Sequence, residues 1–370
     1  MKFSEIKSKI VNNPGFKNLA EIRQAGYRIV KERDGERYFL VRQDELKPLL
    51  VRLGDIAEVR FGIKTGANEF FYLQPLEMSV AEVAKLSEEN PSAPVLVKNG
   101  AGWEGKIEAE FLKPVVTSLR EVKTIEVGSQ HIAFLLFVCP SSKQALAQNG
   151  KNHALRYIEW GEKQGYNNRR TCASRPRWWD LGNHAIPSVI YSRRLGDRHL
   201  CPANKSALVS DTLYEVHTSE GEIVALLLSS TLYRLMLETE GRELTGSITV
   251  VELYIPDVLK TFVLNPAVLD HSQRNSLRRI LVLLRNRDMK SLFQELGFVL
   301  CEEQGCLHPE HPYEFITPSQ FTLDKVLPDR RELDAVIFEV LGLTEDEQLA
   351  VYRAVVELVK NRLVKARSMQ

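Results

Sequence analysis

The chain has 370 residues, with 49 Lys and Arg against 48 Asp and Glu, 44% hydrophobic residues and 8% aromatic ones. At roughly 150 residues per domain that length predicts two or three domains, and these fractions exclude a wholly disordered, collagen-like or coiled-coil chain. The net charge of +1 reads at first as an argument against nucleic acid, but a whole-chain sum conceals local blocks.

Near the start, YRIVKER and ERYFLVR flank Asp34-Gly35, which predicts a β-hairpin. A second strand–turn–strand pattern is expected over 56–73, where IAEVRFGI and EFFYL enclose the turn Lys64-Thr65-Gly66-Ala67-Asn68. Ser79 with Glu82 forms a capping box opening the helix VAEVAKLSEE. A strand is expected through TIEVGSQHIAFLLFV and a short helix through ALRYIEWGEK. Residues 164–205 read as a long irregular stretch, after which strands resume in SALVSDTLYEVHT. Ser219 and Glu222 are expected to cap one helix, IVALLLSSTLYRLMLETEG. From about residue 266 the pattern turns helical. Gly342 stops one helix, and Thr344 with Glu347 caps the last, EDEQLAVYRAVVELVKNRLVKARS, acidic in its first turn and basic in its last. The expected fold class is α+β: an N-terminal hairpin segment (1–50), a β-rich module with interspersed helices (51–265) and a helical C-terminal region (266–370).

Cys139, Cys172, Cys201, Cys301 and Cys306 are an odd, scattered set, unlike a secreted disulfide framework, so a reducing cytoplasm is the expected compartment. The N-terminus has no apolar core of signal-peptide length, and the apolar runs AFLLFV and IVALLL are too short to span a bilayer. No membrane association is expected.

Enzymes that methylate exocyclic amines in DNA need an Asn/Asp/Ser-Pro-Pro-aromatic loop to hold the amine and stack on the flipped base. The Asn-Pro pairs here run NPGF, NPSA and NPAV, and none continues Pro-aromatic. No strand leads into a Gly-rich, helix-opening loop of the kind that binds S-adenosylmethionine or dinucleotides, and no Walker A loop or nucleophile elbow is present. No catalytic residue or cofactor site is therefore assigned to this chain. An alternative is a metal-dependent nuclease or other hydrolase. Its nearest acidic-x-Lys match, Glu104-Gly105-Lys106, lacks an upstream Pro-Asp partner and reads as a surface loop. Cys301, Cys306, His308 and His311 are zinc-type ligands without a tight Cys-x-x-Cys pair, and read as buried thiols and loop histidines. No metal site is assigned. A third reading is a protein-binding scaffold using Val351, Ala354, Val355, Leu358 and Val359, although such a stripe usually faces its own core.

The positive signal lies between residues 151 and 205. Eleven basic residues stand there: Lys151, Arg156, Lys163, Arg169, Arg170, Arg175, Arg177, Arg193, Arg194, Arg198 and Lys205. Only Glu159, Glu162, Asp180 and Asp197 oppose them within that stretch, a surplus of +7 that leaves −6 on the rest of the chain. Aromatics are interleaved: Tyr157, Trp160, Tyr166, Trp178, Trp179 and Tyr191. An Arg fork can hold phosphate or the guanine edge in a bidentate way, while aromatics stack on bases or pack under Arg stems. The bland account is a solvated surface with Trp178 and Trp179 anchoring the loop to the core, and for the tryptophans it is the preferred one. Lys64-Thr65-Gly66 is a smaller candidate, since a Gly turn exposes backbone N–H groups to phosphate, and a plain hairpin turn explains it equally well.

LGDIAEVRFGIKTGANEFFYL (53–73), YIEWGEKQGYNNRRTCASRPRWWDL (157–181) and LLLSSTLYRLMLETEGRELTGSITV (226–250) resemble the C-terminal target-recognition region of adenine-specific DNA methyltransferases with a TaqI-like specificity domain. The terminal DRRELDAVIFEVLGLTEDEQLAVYRAVVELVKNRLVKA is similar too, so the resemblance covers roughly 50–370. It implies a module reading double-stranded DNA for a restriction-modification or related phage-defence system, with 51–265 as the target-recognition domain. The resemblance also implies a separate catalytic methyltransferase domain or subunit that holds S-adenosylmethionine, with a restriction endonuclease as a further partner. The catalytic half of such enzymes is not in this sequence, which therefore reads as a separate subunit, a split gene product or a truncated methylase. By the resemblance, Lys64, Thr65, Gly66 and Asn68 fall on the family's loop. Arg169, Arg170, Arg175, Arg177, Trp178 and Trp179 fall on its Arg/Trp segment. The charge block adds Arg193, Arg194 and Arg198 as expected DNA contacts.

Overall fold

The computed structural model of the chain describes residues 3–11, 14–31, 36–42, 47–240, 242–243, 251–298, 313 and 316–367. Its elements form an α+β fold. The organising element is a six-stranded sheet, in spatial order Leu208–Val209, Leu112–Val116, Phe134–Phe137, Tyr72–Pro75, Pro94–Asn99 and Glu104–Glu108. Neighbours are antiparallel except the first pair, which is parallel. The continuous apolar run at 134–137 follows from its interior position, where both faces are covered and Leu135, Leu136 and Phe137 are all buried. Nearer the edge, Pro94–Asn99 alternates between exposed and buried residues, as a half-covered strand should.

Two helices cover the sheet. Val80–Glu89 opens on the Ser79–Glu82 capping box and packs on Leu112–Val116. Asn152–Lys163 packs on Glu104–Glu108, and its entry is held by the buried Glu108 carboxylate. That group accepts from the backbone amides of His153 at 3.0 Å and Ala154 at 2.8 Å, two donors that the helix itself leaves open. A second, three-stranded antiparallel sheet joins Val189–Ser192, Leu213–His217 and Glu58–Phe61.

The C-terminal helices pack in pairs, Thr231–Glu240 on Glu345–Arg367 and His271–Arg285 on Pro328–Leu341. Gly342 ends the latter in a left-handed conformation (φ 67°), and the Thr344–Glu347 box opens the last helix. Of its stripe, Val355 and Val359 are buried alongside Tyr352 and Val356, Val351 and Ala354 are half-buried, and Leu358 is exposed. One hydrophobic cluster runs from Leu53 to Leu363, while Ile6, Ile10 and Ile22 form a small separate one beside the N-terminal strands. Tyr27–Lys31 and Tyr38–Arg42 pair antiparallel as the Asp34-Gly35 signal predicted, although that turn lies outside the described residues.

Three expectations are corrected. The second strand–turn–strand pattern is not a hairpin, because Glu58–Phe61 and Tyr72–Pro75 belong to different sheets. Asn68–Phe71 is a helical turn that buries the adjacent rings of Phe70 and Phe71, which a strand would send to opposite faces. Only Phe134–Phe137 of the stretch 124–138 is a regular strand. The helix expected from Ser219 is two helices, Gly221–Leu228 and Thr231–Glu240, and Ser219 makes no cap, while Glu222 pairs with Lys205. The break falls where Ser230 Oγ accepts the Tyr233 amide at 3.2 Å and so starts the second helix.

Asp334, fully buried, reinforces that start from a distant helix. It accepts from Thr231 N (2.9 Å), Thr231 Oγ1 (2.6 Å) and Tyr352 OH (3.0 Å). Asp334→Ala leaves those donors unpaired and should lower unfolding free energy by about 3 kcal/mol in urea titration, with a smaller loss for Asp334→Asn.

Candidate nucleic-acid interface

The loop after Glu58–Phe61 crosses the loop before Leu213–His217 at close range. Ile63 N donates to Val209 O at 2.7 Å, and Gly62 N to Leu213 O at 3.1 Å. A Cβ at Gly62 would lie 2.3 Å from the Ser210 carbonyl oxygen, so only glycine fits this crossing. Beyond it, Lys64–Asn68 is clasped by the Arg/Trp segment. Arg175 donates through Nη2 to the carbonyls of Lys64 (2.6 Å) and Thr65 (2.9 Å), and through Nη1 to that of Trp178 (3.2 Å). Buried Thr65 receives the Ala67 amide on its hydroxyl, which also bonds Asn68. Gly66 has φ 79°, and a Cβ there would meet the Thr171 Cβ at 2.6 Å. Two segments far apart in sequence are thus locked into one surface.

Most of the remaining candidates in that segment have structural partners. Arg169 pairs with Glu69 and lies over the Tyr166 ring at 4.6 Å, and its guanidinium holds the Glu69 carboxyl below the usual range. Arg177 pairs with Asp180 at 2.5 Å. Trp178 is only 7% exposed and donates to Glu162 at 3.2 Å, and its ring packs on Phe70. Trp179 is buried as well, donating to the Ser141 carbonyl at 3.3 Å. Lys64, Asn68 and Arg170 are exposed, and neither Lys64 nor Arg170 has an ion-pair partner among the described residues.

The second arginine group lines a cleft of about 750 Å³. Its walls carry Arg193, Arg194 and Arg198 together with Arg120, Thr117 and Thr212. Arg193 is pinned over Phe61 (5.2 Å) and Tyr214 (5.7 Å) and donates to the Asp211 carbonyl at 3.1 Å. Arg198 donates to the Leu119 carbonyl, and burial lowers its pKa from the ordinary value. Arg194 is 71% exposed and reaches Glu252 only at 4.0 Å. Arg120 is exposed with no ion-pair partner among the described residues. It was missed because it stands alone, outside the basic block.

The two groups adjoin. Phe61, under Arg193 and itself 53% exposed, is three residues from Lys64, a span of at most about 11 Å. Phe61, on which Arg193 packs, is thus close along the chain to the Lys64–Asn68 loop, while Arg120, Arg193 and Arg194 share the cleft. The surplus of 151–205 is partly neutralised by acids remote in sequence: Glu110 meets Lys151, Glu69 meets Arg169, Glu252 meets Arg193 and Arg194, and Glu126 and Glu222 meet Lys205. The expectation of a basic block opposed only from within is corrected accordingly.

The floor of the cleft is held from below. The Gly196 carbonyl accepts from Arg234 (2.7 Å) and Arg362 (3.3 Å), whose guanidiniums share the buried Glu238 carboxylate. Asp197 accepts from Leu292 N at 2.9 Å and from Tyr313 OH at 3.1 Å. Among the described residues no group of three or more His, Cys, Asp or Glu is placed to hold a metal, and no helix is long and apolar enough to cross a membrane. Glu104 is exposed on the edge strand of the large sheet, and Cys301, Cys306, His308 and His311 lie outside the described residues.

Residues 35–300, a span that contains both arginine groups, match the family model of the type II methyltransferase M.Eco57I C-terminal domain. The chain belongs to this family. Among solved structures, this M.Eco57I C-terminal family member is similar to the type IIG restriction endonuclease BpuSI, with 14% identity and a TM-score of 0.43 over 79% of this chain and 31% of that one. It is also similar to the type IIL restriction-modification enzyme MmeI, solved in complex with DNA, with 12% identity and a TM-score of 0.46 over 92% of this chain and 42% of that one. The chain thus spans less than half the length of either enzyme. No curated protein matches it.

Two outcomes follow from this geometry. Gly66→Ala combines a left-handed backbone with a clash at Thr171 and should cost about 2 kcal/mol in urea unfolding, against under about 0.5 kcal/mol for Lys64→Ala. The His199 imidazole, in the same segment as the cleft, is buried and sits near Arg234, which holds its pKa well below the ordinary value. The unfolded chain takes up that proton below about pH 6.5 while the folded one does not. Stability is therefore full above that pH and declines below it, by up to about 1.4 kcal/mol per unit. His199→Gln should flatten that slope between about pH 6.5 and 5 by the same amount, measured by urea unfolding at each pH.

Proposed function

We propose that this chain is a duplex-DNA recognition module of an adenine methylation or restriction-modification system. Methyl transfer, with S-adenosylmethionine, is assigned to a catalytic domain or subunit outside this sequence. A restriction endonuclease is a further partner in such a system. Family membership supports the setting, and the surface supports the activity. The observation that carries the reading is two neighbouring sets of exposed cations: Arg120 and Arg194, which line a cleft of about 750 Å³, and Lys64 and Arg170, on the loop surface that Phe61 links to it along the chain.

Within this surface the arginines divide their work. Arg175, with Thr65 and Gly66, holds the Lys64–Asn68 loop in shape, Arg169 pairs with Glu69 just beyond it, and Arg177 and Trp178 brace the Arg/Trp segment itself. Lys64, Asn68, Arg170 and Arg194 face outward and are the groups that would meet phosphate or base edges. Arg193 and Arg198, fixed at the cleft wall, would present donors of set direction, which suits base reading better than a mobile charge does. Flexible Lys64 suits phosphate.

Reversing Lys64, Arg120, Arg170 and Arg194 to Glu should weaken binding to a mixed-sequence duplex about 100-fold or more at low salt, with an unchanged circular dichroism spectrum and melting temperature. The log–log salt slope should become shallower by about 0.9 for each phosphate that is no longer neutralised. Reversing Lys85 and Arg279, exposed and outside both sets, serves as the control and should leave affinity nearly intact. Equal binding by the quadruple variant and the native chain in fluorescence anisotropy contradicts the proposal.

A further inference from the structure

Behind the cleft, fully buried Arg234 has polar atoms that no group meets among the described residues. Its Nη2 is engaged by Gly196 and Glu238, but Nε and Nη1 have no acceptor among those residues. A small cavity of about 10 Å³ lies here, close to the room one water needs. Arg234 and His199 both line it, and His199 Nδ1 also has no partner among the described residues. The hydroxyls in its wall are already engaged: Ser229 with Cys201, Ser230 with Leu227 and Tyr233, and Thr231 with Asp334. Among the described residues the open atoms of this wall are therefore two donor nitrogens of Arg234, carrying three N–H groups, and one imidazole nitrogen.

The tautomer decides what fits. His199 Nε2 stands 2.5 Å from the Leu228 carbonyl, which only accepts, so Nε2 carries the proton. Burial and the Arg234 charge keep the ring neutral, leaving Nδ1 a bare lone pair. An occupant must accept from Arg234 and donate to Nδ1. A halide accepts but cannot donate, and a metal cation is repelled by Arg234 and Arg330. Water does both.

We propose that this cavity is a binding site for a single buried water molecule that bridges the Arg234 guanidinium and His199 Nδ1. Gly196 and His199 belong to the same cleft-forming segment. Arg234 grips the first directly and the second through the water, so the solvent molecule helps hold the backbone from Gly196 to His199, next to the cleft-lining arginines. The site stands on its own geometry, and its test does not involve DNA.

The decisive experiment is a crystal structure of the whole chain at about 1.6 Å from bromide-soaked crystals. The expected result is one oxygen-sized peak about 2.7–3.2 Å from Arg234 Nη1 or Nε and from His199 Nδ1, without anomalous signal. A bromide anomalous peak in the cavity overturns the proposal in favour of an anion. A dry cavity, with Arg234 turned to a protein acceptor, overturns it outright. In solution, His199→Gln keeps an amide donor for Leu228 and loses the acceptor at the δ position. Its melting temperature should fall by about 3 °C, and an unchanged value counts against the bridge. The native melting temperature should be the same in chloride and gluconate at equal ionic strength, and a rise with chloride points to an anion and overturns the water.

Discussion

Two buried guanidiniums sharing one carboxylate hold the cleft in place. Arg234 and Arg362 meet at Glu238, and both donate to the carbonyl of Gly196, the backbone atom on which the basic segment turns. Placing these charges in the interior costs desolvation that their mutual attraction only offsets, so the network adds little net stability. Removing one member is another matter, because it strands a buried charge at a cost of about 3–5 kcal/mol. The arrangement therefore fixes geometry. Its members come from Thr231–Glu240 and Glu345–Arg367, and the Asp197 contacts come from Leu292 and Tyr313. The helical region after residue 266 thus supports a surface made of residues before it.

Much of the fold could be read locally. Capping boxes at Ser79 and Thr344 and the stop at Gly342 act within one turn of helix, so their sequence signature and their geometry are the same thing. What failed depended on distant partners. EFFYL looks like a strand, yet Phe70 must stack on Tyr157 at 4.4 Å and Phe71 must reach the core as well, which a helical turn allows. The pair Ser229-Ser230 gave no local sign of which serine would open a new helix, because Asp334, more than a hundred residues away, completes that start.

The candidate site was legible as charge density and illegible as charge balance. The excess of arginine between 151 and 205 is real, but Glu69, Glu110, Glu126, Glu222 and Glu252 fold back onto it from elsewhere. Arg175 proved to be a brace for the Lys64–Asn68 loop, and Arg169 and Arg177 are held by Glu69 and Asp180. Arg120 ran the other way: an isolated residue in sequence, it became one wall of the cleft. The near-zero net charge thus conceals local sets of exposed cations that survive this neutralisation, an arrangement that orients an encounter with a polyanion rather than promoting uniform coating.

The central claim is that these exposed cations are where DNA lies. Photochemical cross-linking of the whole chain to a duplex, followed by mass spectrometry of the attached peptides, tests it most directly. The account predicts cross-links at Lys64–Asn68, Arg120, Arg170 and the Arg193–Arg198 segment, competed away by added salt. Cross-links confined to His271–Arg285 or Glu345–Arg367, with none at these cations, would contradict it.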